Sequence, residues 1–161
     1  MKVIGIDVSA HRADVVLLDK FPTVSLRDFY HSPEFKQVHS VYETNQIQDL
    51  VKKAYSAFNS RDIDTALSTF HAEVEWPKAF EGGYVSGHDA IRAYWTRQWT
   101  EINPNVEPIG FKERKDGTFE ITVHQFVKDL QGDSLFDGIV KHIYTVEDGL
   151  LRKMAIRLVT S

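Results

Sequence analysis

The sequence predicts an α+β domain in which helices pack on one face of a curled, mainly antiparallel sheet. Two stretches near the start of the regular region repeat apolar residues at helical spacing, and four β-patterned runs joined by tight turns close the chain. Between them lies WPKAFEGGYVSGHDAIRAYWTRQW, residues 76–99, which reads as strand, glycine-loosened loop, strand and aromatic helix. Helix, helix, strand, strand, helix and antiparallel meander is the order of an α+β fold rather than of a parallel βαβ sheet.

Each element has its own signal. Thr44 or Asn45 can cap a helix whose apolar stripe is Ile47, Leu50, Val51, Ala54, Tyr55 and Phe58. Asp62 can cap a second, shorter helix with Ile63, Ala66, Leu67 and Phe70 inward. Val74–Trp76 and Gly83–Val85 are short strands around a loop. The aromatic helix has the stripe Ile91, Tyr94, Trp95, Gln98, Trp99 and Ile102, and Asp89 in its first turn suits the helix dipole. Tyrosine and tryptophan carry polar tips on apolar bodies, so this stripe could fill a core or line a cavity. Three longer strands follow at about 106–114, 118–128 and 135–146. The last, 150–159, comes after the turn Glu147-Asp148-Gly149.

The chain has 161 residues, 42% of them hydrophobic, enough for one main globular unit. A net charge of −4 and no dense cluster of Lys and Arg argue against nucleic acid as a partner. Lys112, Arg114 and Lys115 alternate with acids and read as a solvated hairpin edge. With no cysteine there are no disulfides and no thiolate sites. Neither a long apolar run nor a secretory leader pattern is found, so the expectation is a cytoplasmic protein without a membrane partner.

Residues 1–44 are expected to form an extension and connector ahead of a domain at 45–159. Residues 1–19, MKVIGIDVSAHRADVVLLD, resemble the opening hairpin of RNase H-like folds, above all of insertion-sequence transposases, in which an acid at Asp7 would bind a metal. The likeness ends there, and a lone carboxylate cannot hold a catalytic magnesium, so the segment reads as a fusion remnant or an over-early start. Residues 20–44, with Pro22 and Pro33, read as a connector without sustained periodicity that drapes over the domain through Phe29, Tyr30 and Phe35.

Over residues 45–159 the chain resembles the nuclear transport factor 2-like superfamily, and within it the SnoaL-like group of polyketide cyclases and ketosteroid isomerase relatives. The carriers are AFNSRDIDTALSTF, VEWPKAFEGGYVSGHDAIRAYW and VKHIYTVEDGLLRKM. The resemblance implies a cone-shaped barrel open at one end to a mostly apolar pocket, and a homodimer formed through the sheet. It does not imply one reaction. Set against ketosteroid isomerase, the catalytic Asp position falls on Trp76 and the helix Tyr position on Ala54, with Tyr55 one residue away. The late Asp falls near His142 or on Lys141, so the isomerase triad is absent.

Strand alternation then nominates a polar centre. Phe119, Ile121, Val123, Gln125 and Val127 share one side of their strand, and Val140, His142, Tyr144 and Val146 share one side of the next. The polar exceptions, Gln125 and His142, are expected to face one ligand. His142 is the candidate general acid or base. Tyr144, with Tyr94, could stabilise an oxyanion. Trp76, Phe80, Tyr84, Tyr94, Trp95, Trp99 and Met154 would form walls, and Gln98 could orient a carbonyl. Ser86-Gly87-His88-Asp89 cannot form a hydrolase triad, and no histidine pair has zinc-ligand spacing, so no metal and no cofactor is expected. The expected partner is a small, largely apolar ligand or substrate. An isomerase, cyclase or hydratase/dehydratase, a non-catalytic carrier and a dimeric adaptor remain the alternatives. Phe126, Ile139 and Ile143 on the sheet's other side, beside His124, Lys141 and Thr145, are expected to form the dimer face.

Overall fold

The structure is a computed structural model that describes residues 25–159. The hairpin expected over residues 1–19, with Asp7, lies outside the described residues. The chain divides into two compact units, residues 1–47 and 48–161, and the division falls inside one helix.

In the first unit a short helix α1 (Leu26–Tyr30) is capped by the Ser25 side chain, which accepts from the Asp28 amide. Phe29, Tyr30 and Phe35 pack on one another edge to face, with centroids 4.7–5.7 Å apart. Helix α2 then runs Pro33–Asn59, so it begins some eleven residues ahead of the expected cap at Thr44 or Asn45. The reason is local. Ser32 Oγ accepts from the Phe35 amide, Pro33 occupies the first helical position, where no N–H is needed, and Glu34 follows at the positive end of the dipole. The expected connector is therefore largely helical, and Pro33 starts a helix rather than breaking one.

In the second unit the last turns of α2 bury Val51, Ala54, Tyr55 and Ala57. Helix α3 (Ile63–Ser68) has the expected Asp62 cap, whose carboxylate accepts from the Thr65 amide. It ends before Phe70 because Ser68 and Thr69 turn their hydroxyls back onto the carbonyls of Thr65 and Ala66. Phe70 instead opens β1 (Phe70–Pro77). Strand β2 (Tyr84–Ser86) begins after Gly83, whose φ of 77° lies outside the extended region and excludes it from the strand. Helix α4 (His88–Gln98) buries Ile91, Tyr94 and Trp95. It stops at Trp99, where the Thr100 and Glu101 amides close a tight turn on Arg97 and Gln98, so Ile102 belongs to a strand and not to the helical stripe.

Strands β3 (Ile102–Glu113), β4 (Phe119–Asp129), β5 (Ser134–Glu147) and β6 (Leu150–Leu158) form the expected antiparallel meander. The sheet order is β2-β1-β6-β5-β4-β3, and β1 joins β6 in parallel, the one pairing that breaks the antiparallel pattern. The sheet is mixed and open, with β2 and β3 at its edges. A bulge between Pro108 and Gly110 interrupts β3. Asn59, the last residue of α2, satisfies the outer edge of β3: its amide donates to the Val106 carbonyl (2.8 Å) and accepts from the Val106 amide (2.9 Å). A side chain thus stands in for a missing strand partner.

Candidate functional site

The register fixes which side chains meet. Ile121 pairs with His142, Val123 with Val140 and Gln125 with Gly138, so the inward side of β4 and β5 carries the residues that alternation selects. Burial follows, with Ile121, Val123, Val127, Val140, His142 and Tyr144 all inside. Of the residues expected on the outer face, Ile139 is exposed, whereas Ile143 is buried, flanked across the strands by Glu120 and Ala155 and beside the Lys141–Glu120 ion pair (2.6 Å).

Three adjoining cavities lie on the inward side. An outer one of about 360 Å³ is bounded by Phe80, Tyr84, Phe136 and Leu158. A middle one of about 40 Å³ shares Pro77, Phe80, Gln125 and Ile156 with it and adds Tyr94, Gln98 and Met154. An inner one of about 30 Å³ shares Phe58, Trp76, Trp95 and His142 with the middle one and ends on Tyr55 and Tyr144. Gln125 therefore stands where the outer cavity narrows, and His142 at the depth where the middle one meets the inner. Trp99 is not among the residues bounding these spaces. It stacks on Trp95 (centroids 5.8 Å apart) and lies under the Arg61 guanidinium at 4.8 Å, so it supports a wall from behind.

His142 is 3% exposed. Its Nδ1 lies 2.8 Å from the Tyr55 hydroxyl, and the Tyr144 hydroxyl donates to Tyr55 at 3.2 Å. Nε2 is buried and meets no protein partner. The direction of this chain follows from counting protons. If Tyr144 donates to Tyr55 and Tyr55 to Nδ1, every hydroxyl proton has an acceptor, and the only group left over is an Nε2–H that borders the cavities. The reverse direction would leave both the Tyr144 proton and the Nε2 lone pair without partners. The first arrangement is the better satisfied one, so His142 presents a hydrogen-bond donor.

Burial lowers the His142 pKa from the usual 6.5 to about 4. The imidazole is neutral at physiological pH. Burial also raises both phenols, Tyr55 further under the influence of Tyr144. Tyr94 is raised chiefly by burial and then by Glu81, and its hydroxyl accepts from the Gln98 amide at 3.1 Å. Among the described residues no carboxylate bounds any of the three cavities.

Tyr55 is the participant that sequence reasoning missed. Its signal lies in the α2 stripe, where Val51, Tyr55 and Phe58 follow helical spacing, but which phenol of the helix faces β5 depends on helix rotation. Phe58, Val106 and Ile156 are further walls beyond those that the sequence nominates. His88 serves the backbone, with Nε2 3.0 Å from the Phe70 carbonyl oxygen. His71, Glu147 and Asp148 converge within 4.8 Å, a proximity created by the β1–β6 pairing that spacing along the chain cannot show. His71 Nδ1 accepts from the Glu73 amide, which puts the proton on Nε2, where it faces Asp148 at 3.4 Å. With Nδ1 accepting and Nε2 donating, the ring has no free lone pair for a metal.

Comparison with known proteins agrees with this fold. The family model described as SnoaL-like domain matches residues 51–154. No protein among the curated sequences matches the chain. Among solved structures, TerC co-crystallised with polyporic acid is 25% identical, with a TM-score of 0.61 over 69% of this chain and 89% of its own. A Xanthomonas campestris protein provisionally described as a polyketide cyclase is 19% identical, with a TM-score of 0.58 over 71% and 90% of the two chains. A Catenulispora acidiphila protein of ketosteroid isomerase-like fold, in complex with trimethylamine, is 13% identical, with a TM-score of 0.59 over 68% and 84%. The latter two are likenesses of fold.

Proposed function

The chain belongs to the SnoaL-like domain family, and from that premise we propose that it binds a small, largely apolar molecule and polarises one of its oxygens with the Nε2–H of His142. The observation that carries this reading is the buried, unpartnered Nε2 at the end of a satisfied Tyr144–Tyr55–His142 chain, inside walls that are otherwise apolar. A carbonyl, enolate or phenolate oxygen is the complement of such a donor. Charge developing on that oxygen would be stabilised by a group already oriented and desolvated, and such preorganised donors supply much of the rate enhancement in many enzymes. This supports a cofactor-independent isomerase, cyclase or hydratase/dehydratase. TerC, which is similar in fold, was co-crystallised with polyporic acid.

A specific observation favours a second reading, a non-catalytic carrier. His142 is too weakly basic to take a proton at neutral pH, and among the described residues no carboxylate bounds the cavities to do so in its place. Polarisation alone then gives binding without turnover. We further propose that residues 45–159 form the functional unit, with residues 1–44 an extension to it. The assembly is a homodimer that uses the outer sheet face around Phe126 and Ile139.

Infrared difference spectroscopy with 2-acetonaphthone tests the donor. Its carbonyl stretch should move to lower frequency when bound to the wild-type protein and to His142→Gln, which keeps an N–H donor. It should stay at its unbonded frequency in His142→Leu. A shift that survives His142→Leu, or no binding to the wild type, overturns the reading.

A further inference from the structure

Along the inward side of β5 the positions run Phe136, Gly138, Val140, His142 and Tyr144, and all but Gly138 present a side chain. Gly138 lies opposite Gln125, at the level where the outer cavity narrows into the middle one. The backbone does not demand a glycine there: its φ is outside the left-handed range, unlike that of Gly82, Gly83 or Gly117. What demands it is a neighbour. A Cβ at position 138 would lie 3.1 Å from Cζ of Phe136 and 3.6 and 3.7 Å from the two Cε atoms. The Phe136 ring is thus folded along the strand onto the glycine backbone, and in that position it forms part of the outer cavity wall.

We propose that Gly138 is a specificity-determining position: by letting the Phe136 ring lie against the sheet, it holds the outer cavity wide enough for a broad, flat apolar ketone or phenol. The inference rests on the small-molecule reading above and adds to it the feature that selects ligand width. A side chain at 138 presses on the ring: the Cβ alone, 3.1 Å from Cζ, makes it give by a few tenths of an ångström. Because the ring bounds the outer cavity, moving it changes that cavity's wall. Gln125, at the same level, would then face the displaced ring instead of a ligand.

The test compares two ketones of different breadth, 2-acetonaphthone with two fused rings and benzanthrone with four, by quenching of the cavity tryptophans Trp76 and Trp95. Gly138→Ala should leave the affinity for 2-acetonaphthone within about twofold and weaken benzanthrone by about tenfold or more. Adding Phe136→Ala to Gly138→Ala should restore benzanthrone binding, since the ring that narrows the outer cavity is gone. Alanine is compatible with the strand conformation at 138, so circular dichroism and the urea midpoint should match wild type or improve slightly. Equal effects on both ketones, an unaltered benzanthrone affinity, or failure of the second substitution to restore it would overturn the proposal. Ile156→Arg places a charge in both the outer and middle cavities. If it leaves both ketones bound as before, or if neither ketone binds the wild type, the small-molecule reading itself falls and this one with it.

Discussion

Burial holds His142 near a pKa of about 4 in the folded chain, against 6.5 when it is free in water, and the difference links stability to pH. Between those values the unfolded chain binds the extra proton, so stability is complete above about pH 6.5 and is lost as pH falls toward 4. The full interval corresponds to roughly 3 kcal/mol. His124 acts in the opposite sense. The Asp137 hydrogen bond raises its pKa, so its contribution is present at low pH and is lost as pH rises through its folded value. Comparing proteins that share His124 cancels that contribution. Urea midpoints at pH 7.5 and 5.0 should show the wild type losing about 2 kcal/mol more than His142→Gln over this range. Equal losses would mean that His142 is not held neutral. At this scale, strand alternation sufficed to bring His142 and Gln125 to the inward side. It could not reveal the pKa or the Tyr55 partner, because both depend on how far the neighbouring helix excludes water and which way it is turned.

Helix α2 and the edge strand β3 meet through two residues at the helix end. Asn59 pairs with both backbone groups of Val106, and Arg61, at φ 63°, donates to the carbonyls of Phe58 (3.1 Å) and Pro104 (2.8 Å) while stacking on Trp99. Val106 bounds both the middle and inner cavities, so this clasp also positions part of the site. Asn59→Asp keeps the acceptor for the Val106 amide but sets a carboxylate against the Val106 carbonyl. It should cost about 1–3 kcal/mol in urea denaturation at pH 7, and lowering the pH far enough to protonate the new acid should recover part of the loss. Element existence was legible throughout the domain, since the period-2 and helical patterns are strong between residues 45 and 159. The differences sit at ends. Ser32-Pro33-Glu34 reads locally as a break although it starts a helix, Phe70 and Ile102 continue helical stripes that hydroxyl back-bonding and a tight turn terminate, and the parallel β1–β6 pairing has no local signature at all.

At the scale of the whole molecule the fold provides an inward sheet face with a tapering apolar space and an outward face bearing Phe126 and an exposed Ile139. If the outward face joins two copies, light scattering at micromolar concentration should give twice the chain mass of 18.5 kDa, and Ile139→Glu should return it to one. A wild-type monomer would rule out the dimer without touching the pocket. Among the described residues no helix is long and apolar enough to cross a membrane. The family, the order of elements and the polar pair Gln125 and His142 could all be read from residues alone. The shape of the outer cavity wall and the donor character of the site could not, since they arise from a ring folded over Gly138 and from a proton count along three side chains on two elements. The most direct measurement of the central claim is long-range ¹H–¹⁵N correlation NMR of the imidazole of His142, recorded with and without 2-acetonaphthone. The expected result is a neutral ring carrying its proton on Nε2 from pH 8 down to about 5, with the Nε2 resonance shifting on addition of the ketone; a ring protonated on Nδ1, a titration near 6.5, or a resonance indifferent to the ketone would contradict it.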